Sequence, residues 1–263
     1  MHFKRLIISI IFVPLLYLYI MYLPPEYFLL LITFFSTIGL AEFYTMCKIK
    51  GPMKYSGILW GAVLMFVFFT AEGRFLNILL LAVLTTTGLR LFIKRDARSS
   101  ISDSSTSVLG LLYVPGLLTF QISLMKAEPA WIILLYASVW AADSMAYYVG
   151  KGIGKRKLYE EMSPNKTVAG AVGSVIGGIL GAGLIKAVLM QQITIQQAVL
   201  IGAAVGSATV IGDLVESMFK RDAGVKDSGN LLPGHGGILD KLDGVTFAGP
   251  VLYWSCVGLK LIS

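Results

Sequence analysis

Nine runs of apolar residues follow one another along most of this chain. A helix needs about 20 apolar residues to cross the roughly 30 Å hydrocarbon layer of a membrane, and each run is of that order. The runs cover residues 6–23, 27–46, 55–71, 75–93, 106–125, 130–150, 168–190, 198–218 and 245–262. Hydrophobic residues make up 56% of the 263 residues and charged residues 14%, so a soluble domain is excluded. The sequence predicts an all-α integral membrane protein with about nine transmembrane helices.

The basic residues predict how these helices are oriented. If the amino terminus is cytoplasmic, 17 of the 22 lysines and arginines fall in segments on the inner side, whereas only Arg74 and Lys126 fall in outer loops. Basic residues favour cytoplasmic loops, so we expect a cytoplasmic amino terminus and a multi-pass protein of the cell (inner) membrane. The net charge of +7 then reflects topology, and nucleic acid is not an expected partner.

The cysteine content excludes a disulfide scaffold. The chain has only Cys47 and Cys256, which the predicted topology places near opposite sides of the membrane. We expect no bond between them and a packing role for both.

The polar segments are unevenly distributed. The inner segments 151–167 and 220–244 are long, polar and glycine-rich, whereas several outer connections have only a few residues. We therefore expect two domains, a transmembrane scaffold of about five helices in residues 1–129 and a second transmembrane domain in residues 130–263 that carries these polar segments. A function that needs polar groups, such as a polar catalytic cavity, is then expected on the cytoplasmic side of the second domain.

Acidic residues cluster near the carboxy terminus, where six of the chain's fifteen occur from Asp213 onward. Asp213 and Glu216 are spaced to share one helix face, and so are Asp240 and Asp243 if the last helix begins near residue 238. A carboxylate inside an apolar span, such as Asp213, is costly and is a functional candidate by default.

Four basic residues, Lys220, Arg221, Lys226 and Lys241, interleave with these acids. Carboxylates that bind Mg²⁺ beside cations that bind phosphate suit a polyphosphate substrate. The alternative is a solvated loop with internal ion pairs, against which the position of Asp213 argues.

The segment 233–237, with sequence PGHGG, lets the backbone approach a ligand closely. Such a segment is more often a plain turn than a phosphate cradle, and His235 alone is consistent with a capping role. Zinc is not expected, because the other histidine is the remote His2.

The segment 163–167 combines a helix-start signal with a basic residue. Ser163 is predicted as an N-cap and Pro164 as the first helical residue. The amino terminus of a helix attracts phosphate, and Lys166 would add a full charge there, although a capped helix with a topogenic lysine explains the same pattern. Asp143, inside the sixth span, either faces the same cavity as Asp213 or pairs with a basic residue of the adjacent loop.

Glycines recur every fourth residue at 173, 177 and 181, and at 202 and 206. This spacing lets membrane helices approach closely, so we expect packing between these spans, with a homodimer interface as the second interpretation.

Three stretches carry a family likeness: SMFKR at 217–221, KDSG at 226–229 and LPGHGGILDKLD at 232–243. Together they resemble the signature of the phosphatidate cytidylyltransferases, also called CDP-diacylglycerol synthases. Residues 140–150 and 163–170 are similar to upstream motifs of that family, and the spans before them match only in general character.

The resemblance implies that CTP and phosphatidate give CDP-diacylglycerol and pyrophosphate for phospholipid biosynthesis. The implied cofactor is Mg²⁺, singly or as a pair, held by Asp213 and Asp240. The residues expected to be catalytic are Asp213, Asp227, Asp240, Lys226 and Lys166. The residues expected to bind or orient substrates are Asp143, Ser163, Lys166, Thr167, Lys220, Arg221, His235, Gly236, Gly237, Lys241 and Asp243. Lys241 departs from the family, which normally has arginine there, so the bidentate grip on phosphate is lost.

Two other functions remain as alternatives. A CTP-dependent lipid kinase would transfer the γ-phosphate instead of the cytidylyl group. A cation or phosphate transporter would use Asp143, Asp213 and Glu216 for flux, which the short outer loops disfavour.

Overall fold

The computed structural model describes residues 13–231 and 236–262, and this part of the chain is almost entirely helical. Helix α1 is described from Val13 to Tyr22. The later elements are α2 (Pro25–Met46), α3 (Gly51–Thr70), a 3₁₀ turn (Glu72–Arg74), α4 (Phe75–Lys94), α5 (Ser100–Leu111), a π-helical segment (Leu112–Gly116), α6 (Leu117–Ala127), α7 (Pro129–Ile153), β1 (Lys157–Tyr159), β2 (Ser163–Thr167), α8 (Val168–Val188), α9 (Ile195–Asp222) and α10 (Leu239–Gly258).

Seven helical spans within the described residues are long and apolar enough to cross a membrane, and they coincide with the second to eighth predicted spans. The chain is therefore a multi-pass membrane protein by helix length and composition. The first predicted span, 6–23, lies partly outside the described residues. The ninth corresponds to α10, which is not among the seven because its first turns carry Asp240, Lys241 and Asp243.

A π-helical segment separates α5 from α6 and contains Pro115. Proline has no backbone N–H and disturbs the regular hydrogen-bond ladder of an α-helix, which accounts for the local change of geometry. The buried Tyr113 of this segment packs its ring against Phe43 of α2, Phe219 of α9 and Phe247 of α10. These aromatic contacts tie the amino-terminal helices to the helices that form the site.

Glycines let α8 lie against the backbones of two neighbours. A Cβ atom at Gly177 would overlap the Ala141 carbonyl of α7, and Gly178 faces Gly202 and Gly206 of α9. The predicted packing between these spans is confirmed for α8 and α9. The stripe at 173, 177 and 181, however, faces α7.

A short antiparallel hairpin precedes α8, pairing Lys157 with Thr167 and Tyr159 with Ser163. The prediction that Ser163 caps a helix is wrong: Ser163 begins β2, and the helix starts only at Val168. Pro164 is tolerated because a two-stranded sheet consists of edge strands. Thr167 is the N-cap instead, and its hydroxyl accepts a hydrogen bond from the Gly170 N–H at 3.1 Å.

Candidate active site

A cavity of about 860 Å³ lies between α7, α8, α9, α10 and the hairpin. Eight of the residues predicted from sequence line it, namely Asp143, Ser163, Lys166, Thr167, Asp213, Asp240, Lys241 and Asp243. The wall also contains residues to which the sequence assigned no role, including Tyr136, Trp140, Tyr147, Lys151 and Asn165. The cavity therefore brings together the upstream motifs and part of the carboxy-terminal motif.

An ion pair crosses this cavity. The ammonium group of Lys166 lies 2.6 Å from Oδ2 of Asp213, and the two side chains are 22% and 35% exposed. Strand β2 places the lysine just before the first residue of α8, and the carboxylate lies on α9, about two turns before the basic residues at its end. A predicted phosphate-binding cation and a predicted metal ligand thus face each other.

Besides Asp213 and Asp240, two further carboxylates line the same cavity. Asp143 on α7 faces it, which decides between the two alternatives for this residue. Asp243 on α10 accepts a hydrogen bond from the Gly244 N–H through Oδ1 at 2.7 Å. With Asp213, three acids from three helices surround one space that Lys166 and Lys241 also reach.

A chain of charged side chains lies between α9 and the start of α10. Nζ of Lys220 lies 3.0 Å from Oε1 of Glu216 and 2.6 Å from Oδ1 of Asp240. Glu216 is fully buried and Lys220 is nearly so. Buried carboxylates need an opposite charge, and this lysine serves two of them. Phosphate binding by Lys220 stays a prediction, and its ammonium group is already paired with the carboxylates of Glu216 and Asp240.

Asp240 has partners on both carboxylate oxygens. Oδ1 accepts from Lys220, while Oδ2 accepts from the Ser228 N–H at 2.9 Å, the Ser228 hydroxyl at 2.9 Å and the Gly237 N–H at 2.8 Å. Gly236 has φ +83°, in the left-handed region that favours glycine, and a Cβ atom there would collide with the same Oδ2. Asp240 therefore fixes the segment that leads into α10.

The other predicted residues lie outside the cavity wall in the described part of the chain. Arg221 donates to the backbone carbonyls of Met162 and Val225, which joins the end of α9 to the hairpin loop. Lys226 and Asp227 are exposed, and Gly237 lies in the segment before α10. His235 lies outside the described residues.

Sequence reasoning missed Glu42. This residue of α2 contacts the segment before α10, accepting hydrogen bonds from the N–H groups of Ile238 and Leu239. The available signal was the same as for Asp213, since Glu42 is a carboxylate inside the apolar run 27–46.

The acidic side chains of the cavity offer carboxylate oxygens, which are the kind of ligand that Mg²⁺ prefers. No group of three or more histidine, cysteine or acidic side chains in residues 13–231 and 236–262 is close enough to hold a metal. Mg²⁺, however, is commonly held by one or two carboxylates together with substrate phosphates and water. Oδ1 of Asp213 and Oδ2 of Asp243 make no hydrogen bond to the described residues, whereas both oxygens of Asp240 do. The fit is therefore better at Asp213 and Asp243.

Comparison with known proteins agrees with this arrangement. The model of the cytidylyltransferase family matches residues 3–258. A phosphatidate cytidylyltransferase of Bacillus subtilis (strain 168) is 32% identical over 262 residues, which cover 95% of this chain and 96% of the relative. One of Haemophilus influenzae (strain ATCC 51907 / DSM 11121 / KW20 / Rd) is 30% identical over 94% of this chain and 96% of the relative. A phosphatidate cytidylyltransferase of Synechocystis sp. (strain ATCC 27184 / PCC 6803 / Kazusa) is 38% identical over 60% of this chain and 64% of the relative. The chain belongs to the cytidylyltransferase family.

Proposed function

We propose that this protein transfers the cytidylyl group of CTP to phosphatidate, giving CDP-diacylglycerol and pyrophosphate. The observation that carries the proposal is the convergence of Asp143, Asp213 and Asp243 with Lys166 and Lys241 in one cavity between apolar helices. Relatives named phosphatidate cytidylyltransferase match it along nearly the whole chain.

The reaction requires that the two substrates be positioned and that the charge developing on the leaving group be stabilised. A phosphate monoester has a second pKa near 6, so the headgroup of phosphatidate is largely dianionic at neutral pH and needs no strong general base. Its oxygen attacks the α-phosphorus of CTP, a new P–O bond forms, and the bond to pyrophosphate breaks. The protein must hold two polyanions together and stabilise the charge that develops on pyrophosphate.

Lysines and hydroxyl groups at the cavity wall are the proposed phosphate contacts. Lys166 and Lys241 supply positive charge, and Lys241 does so without the fork of an arginine. Thr167 accepts from Gly170 and keeps its own hydroxyl proton to donate to a phosphate oxygen. Ser163 lines the same wall, and Lys226 and Arg221 are proposed to contact phosphate from the adjoining surface.

The proposed cofactor is Mg²⁺, which neutralises phosphate charge and favours departure of pyrophosphate when it is bound. Asp213 is the proposed principal ligand, with Asp243 or Asp143 as its neighbour. The four contacts of Asp240 support a role in holding the segment before α10 instead of the ligand role predicted from sequence.

We further propose that the cavity opens on the cytoplasmic side and receives phosphatidate from the inner leaflet. The lysine and arginine distribution supports this orientation. Trp140 and Tyr147 line the cavity and are 39% and 60% exposed, which suits aromatic side chains at the level of lipid headgroups. The described wall residues all lie between 136 and 245, which supports a catalytic domain in residues 130–263.

The decisive experiment follows two labels of CTP into lipid. Purified protein in lipid nanodiscs is given phosphatidate and CTP labelled at either the α- or the γ-phosphate, with and without Mg²⁺. Label from the α-position in a CDP-diacylglycerol product is the expected result, and diacylglycerol in place of phosphatidate is the control acceptor. Transfer of the γ-label would indicate a lipid kinase, and no lipid product would contradict the proposal.

A further inference from the structure

Glu42 links the amino-terminal half of the chain to the segment that enters α10. Its Oε1 accepts from the Ile238 N–H at 3.1 Å, and its Oε2 accepts from the Leu239 N–H at 2.8 Å. Oε2 also lies 3.3 Å from the hydroxyl oxygen of Ser228. One side chain of α2 therefore reaches both ends of the segment 228–239.

The acceptors match an electrostatic need at the start of a helix. The first N–H groups of a helix have no partner within the helix, and the aligned peptide dipoles favour negative charge at that end. In the described part of the chain no lysine or arginine forms an ion pair with Glu42, so its charge is met by backbone N–H groups.

Ser228 connects this carboxylate with that of Asp240. The hydroxyl is 2.9 Å from Oδ2 of Asp240 and 3.3 Å from Oε2 of Glu42, and it has a single proton to donate. The Ser228 hydroxyl therefore donates its proton to Asp240, which is the nearer of the two acceptors. The segment is thus held by two carboxylates, Asp240 from within and Glu42 from α2.

Two glycines make room for the Glu42 side chain. A Cβ atom at Gly229 would lie 2.5 Å from Oε1 of Glu42 and within 3.1 Å of its Cδ and Cγ atoms. A Cβ atom at Gly237 would overlap Oε2 of Glu42 and the hydroxyl of Ser228. The lack of side chains at these two positions is therefore explained by contact with α2.

We propose that Glu42 is a positioning residue of the active site. By holding Ile238 and Leu239, it sets the start of α10 and so the places from which Lys241 and Asp243 reach the cavity. The inference rests on the proposed function only for the identity of the reaction that this geometry serves.

The first test compares Glu42→Gln with Glu26→Gln, a change of the same chemistry at the exposed, opposite end of α2. Glutamine offers one acceptor where two N–H groups point, so hydrogen–deuterium exchange should rise in peptides covering 224–231 and 236–245. Exchange in α8 and the exchange pattern of Glu26→Gln should match wild type. Unchanged exchange in those two peptides would overturn the proposal, and a rise throughout the protein would indicate general destabilisation instead.

Measurements of kcat and KM then distinguish a role of Glu42 in positioning the active site from a role in folding alone. We expect kcat of Glu42→Gln to fall about tenfold, the scale of one lost charged hydrogen bond, with a smaller change in KM for CTP. Glu42→Asp should recover part of the rate, because it restores the carboxylate. A kcat equal to wild type per folded molecule would overturn the positioning role. A wild-type protein that makes no lipid product would count against the proposed function alone, since exchange is measured without substrate.

A double-mutant cycle tests the steric part. Gly229→Ala should lower kcat because its methyl group meets Glu42. Gly229→Ala combined with Glu42→Ala should be no slower than Glu42→Ala alone, because the obstruction is gone. Additive losses would show that Gly229 acts independently of Glu42 and would contradict the proposal.

Discussion

The ammonium group of Lys166, on β2, lies 2.6 Å from the carboxylate of Asp213, on α9. Because the ion pair is this short, the positive charge of Lys166 is directed at Asp213 and the negative charge of Asp213 is directed at Lys166. When phosphate and Mg²⁺ enter, we expect Lys166 to turn toward phosphate oxygens and Asp213 toward the metal. The pair thus holds both groups in the cavity before the reaction.

Asp213→Asn should lower kcat about 100-fold or more, because it removes the negative charge that we assign to Mg²⁺ binding. The measurement is release of pyrophosphate against Mg²⁺ concentration, and the Mg²⁺ requirement should rise. Asp222→Asn is the matched control, since Asp222 ends the same helix and is exposed. Equal rates for Asp213→Asn and wild type would exclude the metal role.

Asp240→Asn should reduce stability as well as activity. Asparagine cannot accept the same bonds from Lys220, Ser228 and Gly237, and leaving such groups unpaired costs about 1–3 kcal/mol. A lower melting temperature in detergent, not seen for Asp213→Asn, is the expected result. Normal stability with a shifted Mg²⁺ requirement would instead support the ligand role that the sequence predicts.

Gly236→Ala should cost more than Gly224→Ala. Both glycines have positive φ, at +83° and +73°, so alanine costs roughly 1–2 kcal/mol of backbone strain at either position. Only at Gly236 does the new methyl group also meet Asp240, because no atom lies within 4 Å of a Cβ atom at Gly224. We expect at least a tenfold loss of kcat for Gly236→Ala alone, measured with protein of equal folded fraction.

Gly177→Ala and Gly183→Ala should have opposite effects on stability. A Cβ atom at Gly177 overlaps the backbone of Ala141, so α7 and α8 must separate at a cost of about 1–3 kcal/mol. Gly183 has open space around it, and alanine there should stabilise the helix by up to about 1 kcal/mol. Thermal unfolding in one detergent decides between these outcomes.

Cysteine labelling can test the proposed orientation. Burial, together with the nearby Asp222 carboxylate, raises the pKa of the Cys47 thiol to about 11, and Cys256 is buried, so both native thiols should react slowly. A membrane-impermeant maleimide applied to intact cells should label Gln191→Cys and spare Lys155→Cys. The reverse pattern would place the cavity on the outer side.

Long-range features of the site were harder to predict than the helices. Apolar length alone located most spans, because lipid requires each spanning segment to satisfy its own backbone. The signature in residues 217–243 and the charges of Asp213 and Lys166 indicated the cavity, although nothing local to these residues shows that they pair.

Ser163 and Glu42 illustrate what local patterns leave out. Ser163 followed by Pro164 is a good helix start, but pairing with β1 prevails, and Thr167 caps the helix. The partners of Glu42 lie nearly two hundred residues away in sequence, so its role depends on how α2 packs against α10.

The contact between α2 and the start of α10 also constrains how such chains can diverge. A lineage that lost the carboxylate at 42 would gain space for side chains at 229 and 237, and a lineage that kept it would be confined to glycine there. These three positions should therefore vary together among relatives. A chimaera that takes residues 1–129 from one relative and the remainder from another should work best when both parents agree at all three.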